Sequence, residues 1–96
     1  MPDIRIEREH SLGLPRAREV AEQWVSSARD DFGMTCTVDT GTDADTVRFE
    51  RTGVSGTLRV NADRFVLDAR LGFLLGSFKD RIVAEIESNL DRLLGA

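Results

Sequence analysis

The sequence holds one cysteine, Cys36, and one histidine, His10, and no other pair of residues in it offers the usual thiol nucleophile and imidazole base. Attack by a thiol needs the two groups in hydrogen-bond reach, with a third group orienting the base. His10 follows an alternating stretch that carries Ile4 and Ile6. Cys36 lies within another such stretch and shares the parity of Met34 and Val38, which places it with core residues. A lone cysteine in that position is a small buried hydrophobe. A zinc site would have to find two further ligands among scattered carboxylates. Asp30 and Asp31 stand in the last turn of a helical pattern without accompanying ligands, and the acidic stretch from Thr40 to Asp45 lacks the spaced glutamate and flanking helices of a calcium loop. Gly53-Val54-Ser55-Gly56 lacks the lysine and helix of a phosphate-binding loop. No catalytic, cofactor-binding or metal-binding residues are expected, and the expected role is non-enzymatic, with a weak enzyme as the alternative.

Two other groups of residues have the chemistry of contact surfaces. Arg5, Arg48, Arg59 and Arg70 fall on the polar parity of successive strands, together with Glu7, Glu50 and Asp68. Cross-strand ion pairing, which also protects an exposed sheet, is the expected use; recognition of an acidic partner or a ligand carboxylate by the guanidinium fork is the alternative. Phe73, Leu74 and Leu75 are consecutive, bracketed by Gly72 and Gly76 and followed by Phe78. Neither a strand nor a helix directs three consecutive side chains into one small core. This stretch is core or dimer packing if it folds back beneath the last helix. Otherwise it is an exposed apolar cluster that meets a hydrophobic particle, a lipid or a protein partner.

The elements that position these groups follow from periodicity. Ile4 and Ile6 mark a first strand. Pro15 opens a helix whose apolar stripe is Ala17, Val20, Ala21, Trp24, Val25, Ala28 and Phe32, and Gly33 ends it in a left-handed cap. Met34, Cys36 and Val38 mark a second strand, and Val47 and Phe49 a third. Val54, Gly56, Leu58 and Val60 mark a fourth, and Phe65, Leu67, Ala69 and Leu71 a fifth. Gly56 leaves a gap on the apolar side, which predicts a bulge or the close approach of a helix. Ser77 is placed to cap a final helix, with Asp80 three residues on and a row formed by Phe78, Ile82, Ile86, Leu90 and Leu93. The fold class is α+β, a single domain over residues 1–96 in the order β-α-β-β-β-β-α. Short connections predict a mostly antiparallel sheet with two helices packed on one face. The place of the first strand in the sheet stays open.

A chain of 96 residues supports one modest core. Its 41% hydrophobic and 31% charged residues are those of a globular domain. The net charge of −4, with both signs mixed along the chain, disfavours nucleic acid as a partner. The opening residues are charged from Asp3 onward, unlike an export signal, and no apolar run approaches the length of a membrane span. With a single cysteine, a reducing cytoplasm is the expected location.

Three stretches resemble a known family. They are Met1-Pro2-Asp3-Ile4-Arg5-Ile6-Glu7-Arg8 with His10-Ser11-Leu12-Gly13, Phe49-Glu50-Arg51 with Gly53-Val54-Ser55-Gly56, and above all Asp63-Arg64-Phe65 through Leu67-Asp68-Ala69-Arg70-Leu71-Gly72-Phe73-Leu74-Leu75-Gly76. In these the chain is similar to the small bacterial polyhydroxyalkanoic acid system proteins. The resemblance implies a link to storage-polyester metabolism and supplies no catalytic residues. The implied role is an accessory or binding protein, with a polyester granule surface, a granule-associated protein or a second copy of the chain as partner. The alternative is a small carrier or weak enzyme for hydroxyacyl or lipid-like ligands, with a cavity between the sheet and the last helix.

Overall fold

Alternating residues become five strands, and the two apolar stripes become helices that share one face of the sheet. The computed structural model describes residues 3–73 and 75–94. The elements are β1 (Ile4–Glu9), α1 (Leu14–Phe32), β2 (Thr35–Thr40), β3 (Ala44–Arg51), β4 (Val54–Asn61), β5 (Arg64–Leu71), a 3-10 turn (Gly76–Phe78) and α2 (Lys79–Leu93). The strands form one antiparallel sheet in the order β1-β5-β4-β3-β2. Three hairpins join β2 through β5, as the short connections predict. β1, whose place the sequence leaves open, takes the edge beside β5, with Ile6 opposite Leu67.

This topology makes α1 a crossover. It leaves β1 at one edge and must deliver the chain to β2 at the other, across four inter-strand gaps of about 4.8 Å each. Its 19 residues reach about 28 Å, enough to cross the sheet obliquely. Ala17, Val20, Ala21, Trp24, Val25 and Ala28 face the sheet and are buried, and Gly33 closes the helix with φ 64°, where the Ala28 carbonyl accepts its N–H. Opposite this stripe the sheet presents Ile4, Ile6, Val47, Phe49, Leu58, Val60, Phe65, Leu67 and Ala69. The apolar parity fails at one edge position: Val38 in β2 lies on the helix side yet is 47% exposed.

Gly56 is neither bulged nor met by a helix. The register of β4 runs unbroken through it, opposite Phe49 on β3 and Ala69 on β5. The space above it holds the Phe49 ring. A Cβ at this position would lie 2.7 Å from Phe49 Cζ and 2.9 Å from Ala69 Cα, and closer still to the Asp68 carbonyl. Only glycine lets the ring lie flat across the strand, from where it meets Trp24 edge-on with centroids 5.2 Å apart.

Helix α2 begins later than its sequence pattern implies. Its N-cap position is Phe78 and not Ser77, no side chain caps it, and the 3-10 turn over Gly76–Phe78 leads into it. Asp80 still places a carboxylate in the first turn, at the positive end of the helix. Along the helix only Leu90 is buried; Ile82, Val83, Ile86, Leu93 and Leu94 pack partly against the core, and Phe78, at the head of the predicted row, is exposed.

Two stability measurements test this packing. Gly56→Ala should destabilise by about 1–3 kcal/mol through overpacking, lowering the melting temperature by about 4–8 °C per kcal/mol in a thermal circular-dichroism scan. Trp24→Ala should cost about 3 kcal/mol in a urea titration, the low end of the range for aromatic truncation, because one side of the indole faces a cavity and not close-packed core. A Trp24→Ala variant that melts with the wild type would show that the stripe does not hold the helix.

Candidate functional site

The stretch after β5 is shaped by two glycines that touch. The Gly72 N–H donates to the Gly53 carbonyl at 2.6 Å, and a Cβ on Gly72 would lie 3.2 Å from Gly53 Cα. Gly53 itself has φ 90°, which a two-residue turn between β3 and β4 imposes and which side chains disfavour. The Gly72 carbonyl then accepts from the N–H groups of Leu75 and Gly76 at 3.1 and 3.0 Å, so the chain turns sharply. That turn directs Phe73 outward, where it is 98% exposed, and folds half-buried Leu75 back over Gly53. Leu74 lies outside the described residues. Phe78, 53% exposed, follows at the head of α2.

Behind this turn the molecule is not closed. A cavity of about 600 Å³ lies between the sheet, the second half of α1 and the first half of α2. Its floor is the transverse row Phe49, Ala69 and Ile4 with Val54 and Leu71, and Trp24 and Ala28 form one wall. Leu75, Ile82 and Ile86 overhang it from the other side. Gly56 does not contribute space, since Phe49 fills the hole it leaves; Ala69 does. The polar residues lining the cavity are Ser27, Thr52 and Asn89, and the charged ones Arg51, Arg81 and Glu85, all three exposed. Arg51 also donates to the Phe32 carbonyl at 2.5 Å, tying the β3–β4 turn to the end of α1.

The four arginines of the polar face are all exposed on the side of the sheet away from the helices. Arg5 donates to Asp68 across the β1–β5 pair at 3.1 Å and to Glu7 at 2.9 Å. The hydrogen bond with Glu7 and the charge of Asp68 hold its guanidinium above the ordinary arginine value. Arg48 reaches Asp39 diagonally at 3.7 Å. Arg59 and Arg70 have no carboxylate within ion-pair distance among the described residues. The side chains are solvated, and pairs of this kind contribute little stability.

His10 and Cys36 are kept apart by the topology. One follows β1 and the other lies in β2, opposite edges of a sheet about 19 Å across. The His10 Nδ1 accepts the Leu12 N–H at 3.2 Å, its ring packs on Phe65 at 4.6 Å, and its buried Nε2 has no partner among the described residues. Burial pushes the Cys36 thiol above its ordinary pKa, and the nearby Arg29 guanidinium offsets only part of that. Among the described residues no three His, Cys, Asp or Glu side chains converge as a metal site would require, and no helix is long and apolar enough to cross a membrane.

Two contacts escape a reading by pattern alone. Asp45, in the acidic stretch, is buried within β3; Arg18 of α1 grips both its oxygens at 3.0 and 3.1 Å, and the Gly41 N–H donates to it at 3.2 Å. Arg8 of β1 pairs with Asp91 of α2. Both sheet residues share the parity of apolar neighbours, Asp45 with Val47 and Arg8 with Ile6, and that was the available signal.

A family model described as "Putative polyhydroxyalkanoic acid system protein" matches residues 4–94 of the chain. No curated protein and no solved structure matches it.

The raised pKa of Cys36 leaves less thiolate at a given pH than a free cysteine has. At pH 8 a disulfide reagent should therefore react with the native protein more slowly than with the urea-unfolded chain. Equal rates, followed by absorbance, would place the thiol at the surface.

Proposed function

Since the chain belongs to the polyhydroxyalkanoic acid system protein family, we propose that it is a non-enzymatic accessory protein of storage-polyester metabolism, cytoplasmic and granule-associated, which works through the apolar end of the molecule. The observation that supports this reading is Phe73, held almost wholly in solvent by a tight, glycine-built turn, with Phe78 and Leu75 beside it in the chain. An aromatic ring projected from a constrained turn has no role in the core of its own chain. It is suited to enter a polyester surface or the apolar groove of a granule-bound protein. A second copy of the chain is the competing occupant of the same end, and sedimentation velocity separates a homodimer from a monomer.

A second reading has its own support. The cavity beneath α2 falls within the range of about 300–1,000 Å³ common to small-molecule sites and is lined mainly by apolar side chains. Carriage of a hydroxyacyl or lipid-like chain would use it.

Sedimentation with purified polyester granules, and with bare hydrophobic beads as a control, tests the first reading. The wild type should pellet with granules, and the Phe73→Ser, Phe78→Ser double variant should stay in the supernatant with its circular dichroism unchanged, since neither ring is part of the core. Absence of granule retention, together with no crosslinked partner in a granule extract, would remove the basis for this reading.

A further inference from the structure

We propose that the cavity beneath the first half of α2 binds a medium-length acyl chain ending in a carboxylate, with the tail against Trp24, Phe49 and Ala69 and the carboxylate at Arg81. The proposal rests on the carrier reading and adds the chemical class of the ligand and the residue that selects it.

The floor and the rim of the cavity differ in kind. Ile4, Ala69, Phe49 and Ala28 are buried and offer no polar side-chain atoms. Such a surface takes hydrocarbon and nothing that needs hydrogen bonds. The charged side chains all stand at the rim: Arg51, Arg81 and Glu85, a net charge of one positive. Glu85 lies one turn beyond Arg81 on α2, yet the two are not within ion-pair distance, and Arg81 has no carboxylate partner among the described residues. A guanidinium at the edge of an apolar cavity is matched by a monoanion on an apolar tail, which it can take in two parallel hydrogen bonds. A cationic head would meet two arginines against one carboxylate.

The way α2 is held agrees with a site that fills. The helix is held at its far end by buried Leu90, beside which exposed Asp91 pairs with Arg8. Ile82 and Ile86, over the cavity, are only half-buried. A tail in the cavity gives these side chains the apolar neighbour that the sheet does not supply, and a ligand that binds only the folded chain raises its melting temperature.

Trp24 is the sole tryptophan and lines the cavity, so its emission reports on the tail directly. Decanoate, decanol and decyltrimethylammonium, all below the concentrations at which they form micelles, present one tail with three heads. The expected order of affinity is decanoate first, by about tenfold over decanol as one charge-assisted contact allows, and the ammonium last. An ω-brominated decanoate should quench Trp24. Arg81→Gln should bring decanoate down to the level of decanol and leave decanol unchanged. Ile86→Trp, which fills the cavity from a half-exposed helix position, should abolish binding of all three in calorimetry. The β-hydroxy form of decanoate, run beside decanoate, separates a polyester monomer from a fatty acid as the source of the ligand, and tighter binding of either one fits the proposal. Equal affinity for the three heads, or an Arg81→Gln variant with the wild-type order, overturns the carboxylate assignment while the carrier reading stands. Absence of quenching and of any thermal shift with all three overturns both. Full binding by Ile86→Trp places the ligand elsewhere and overturns the site.

Discussion

The packing of the Phe49 ring into the hole left by Gly56 sets the shape of the rest of the molecule. Across the sheet, Phe49, Gly56, Ala69 and Ile4 form one transverse row on the helix side. Two of these four residues are small. One gap is closed by the neighbouring ring, which in turn gives Trp24 an edge-on partner and fixes where α1 sits. The other, at Ala69, lies on the floor of the cavity, which Trp24 and Ala28 of α1 and Ile82 and Ile86 of α2 also line. The cavity thus lies over the part of the row where a small side chain, Ala69, takes the place that Phe49 fills beside it.

The helices are tied to the sheet by charge as well as by apolar contact. Asp45 and Arg8 occupy positions whose neighbours two residues away are core residues, and each is matched by one helix: Arg18 on α1 and Asp91 on α2. Asp45 is buried and must be paired, because loss of one partner of a buried pair costs roughly 3–5 kcal/mol; the Arg8–Asp91 pair, with Asp91 half exposed, contributes much less. The two pairs hold different parts of the fold. Arg18 also donates to the Gly41 carbonyl at 2.7 Å, so the first pair joins α1 to the turn between β2 and β3. The second holds only the C-terminal half of α2.

The strand and helix plan was legible because the apolar parity is nearly unbroken: Ile4 and Ile6, Val47 and Phe49, Leu58 and Val60, Phe65 and Leu67 all face the helices as alternation predicts. The membership of the arginine face was legible for the same reason. What pattern alone does not carry is distance. The length of α1 permits β1 at the edge beside β5 without selecting it, and Val38 is exposed on β2, the opposite edge strand. The capping chemistry at Ser77 predicts a helix start one residue early, whereas the turn closed on the Gly72 carbonyl leads into a 3-10 turn over Gly76–Phe78 first. The segment from Phe73 to Leu75 shows the limit most clearly. Three consecutive apolar residues dictate that they cannot all face one way, but only the Gly72–Gly53 contact decides that Phe73 points out and Leu75 points in.

The unequal attachment of α2 links the two readings of function. Full burial of a leucine- or isoleucine-sized side chain is worth about 1.5–3 kcal/mol, and Ile82, Val83 and Ile86 realise only part of it. The first turns of the helix therefore carry no fully buried side chain, whereas its later part carries Leu90. Those turns carry the roof of the cavity, and the exposed Phe73 and Phe78 lie in the segment that leads into them. Contact with an apolar particle and carriage of an acyl chain would draw on adjoining parts of one segment, since Phe78 stands one helical turn before Ile82, which lines the cavity.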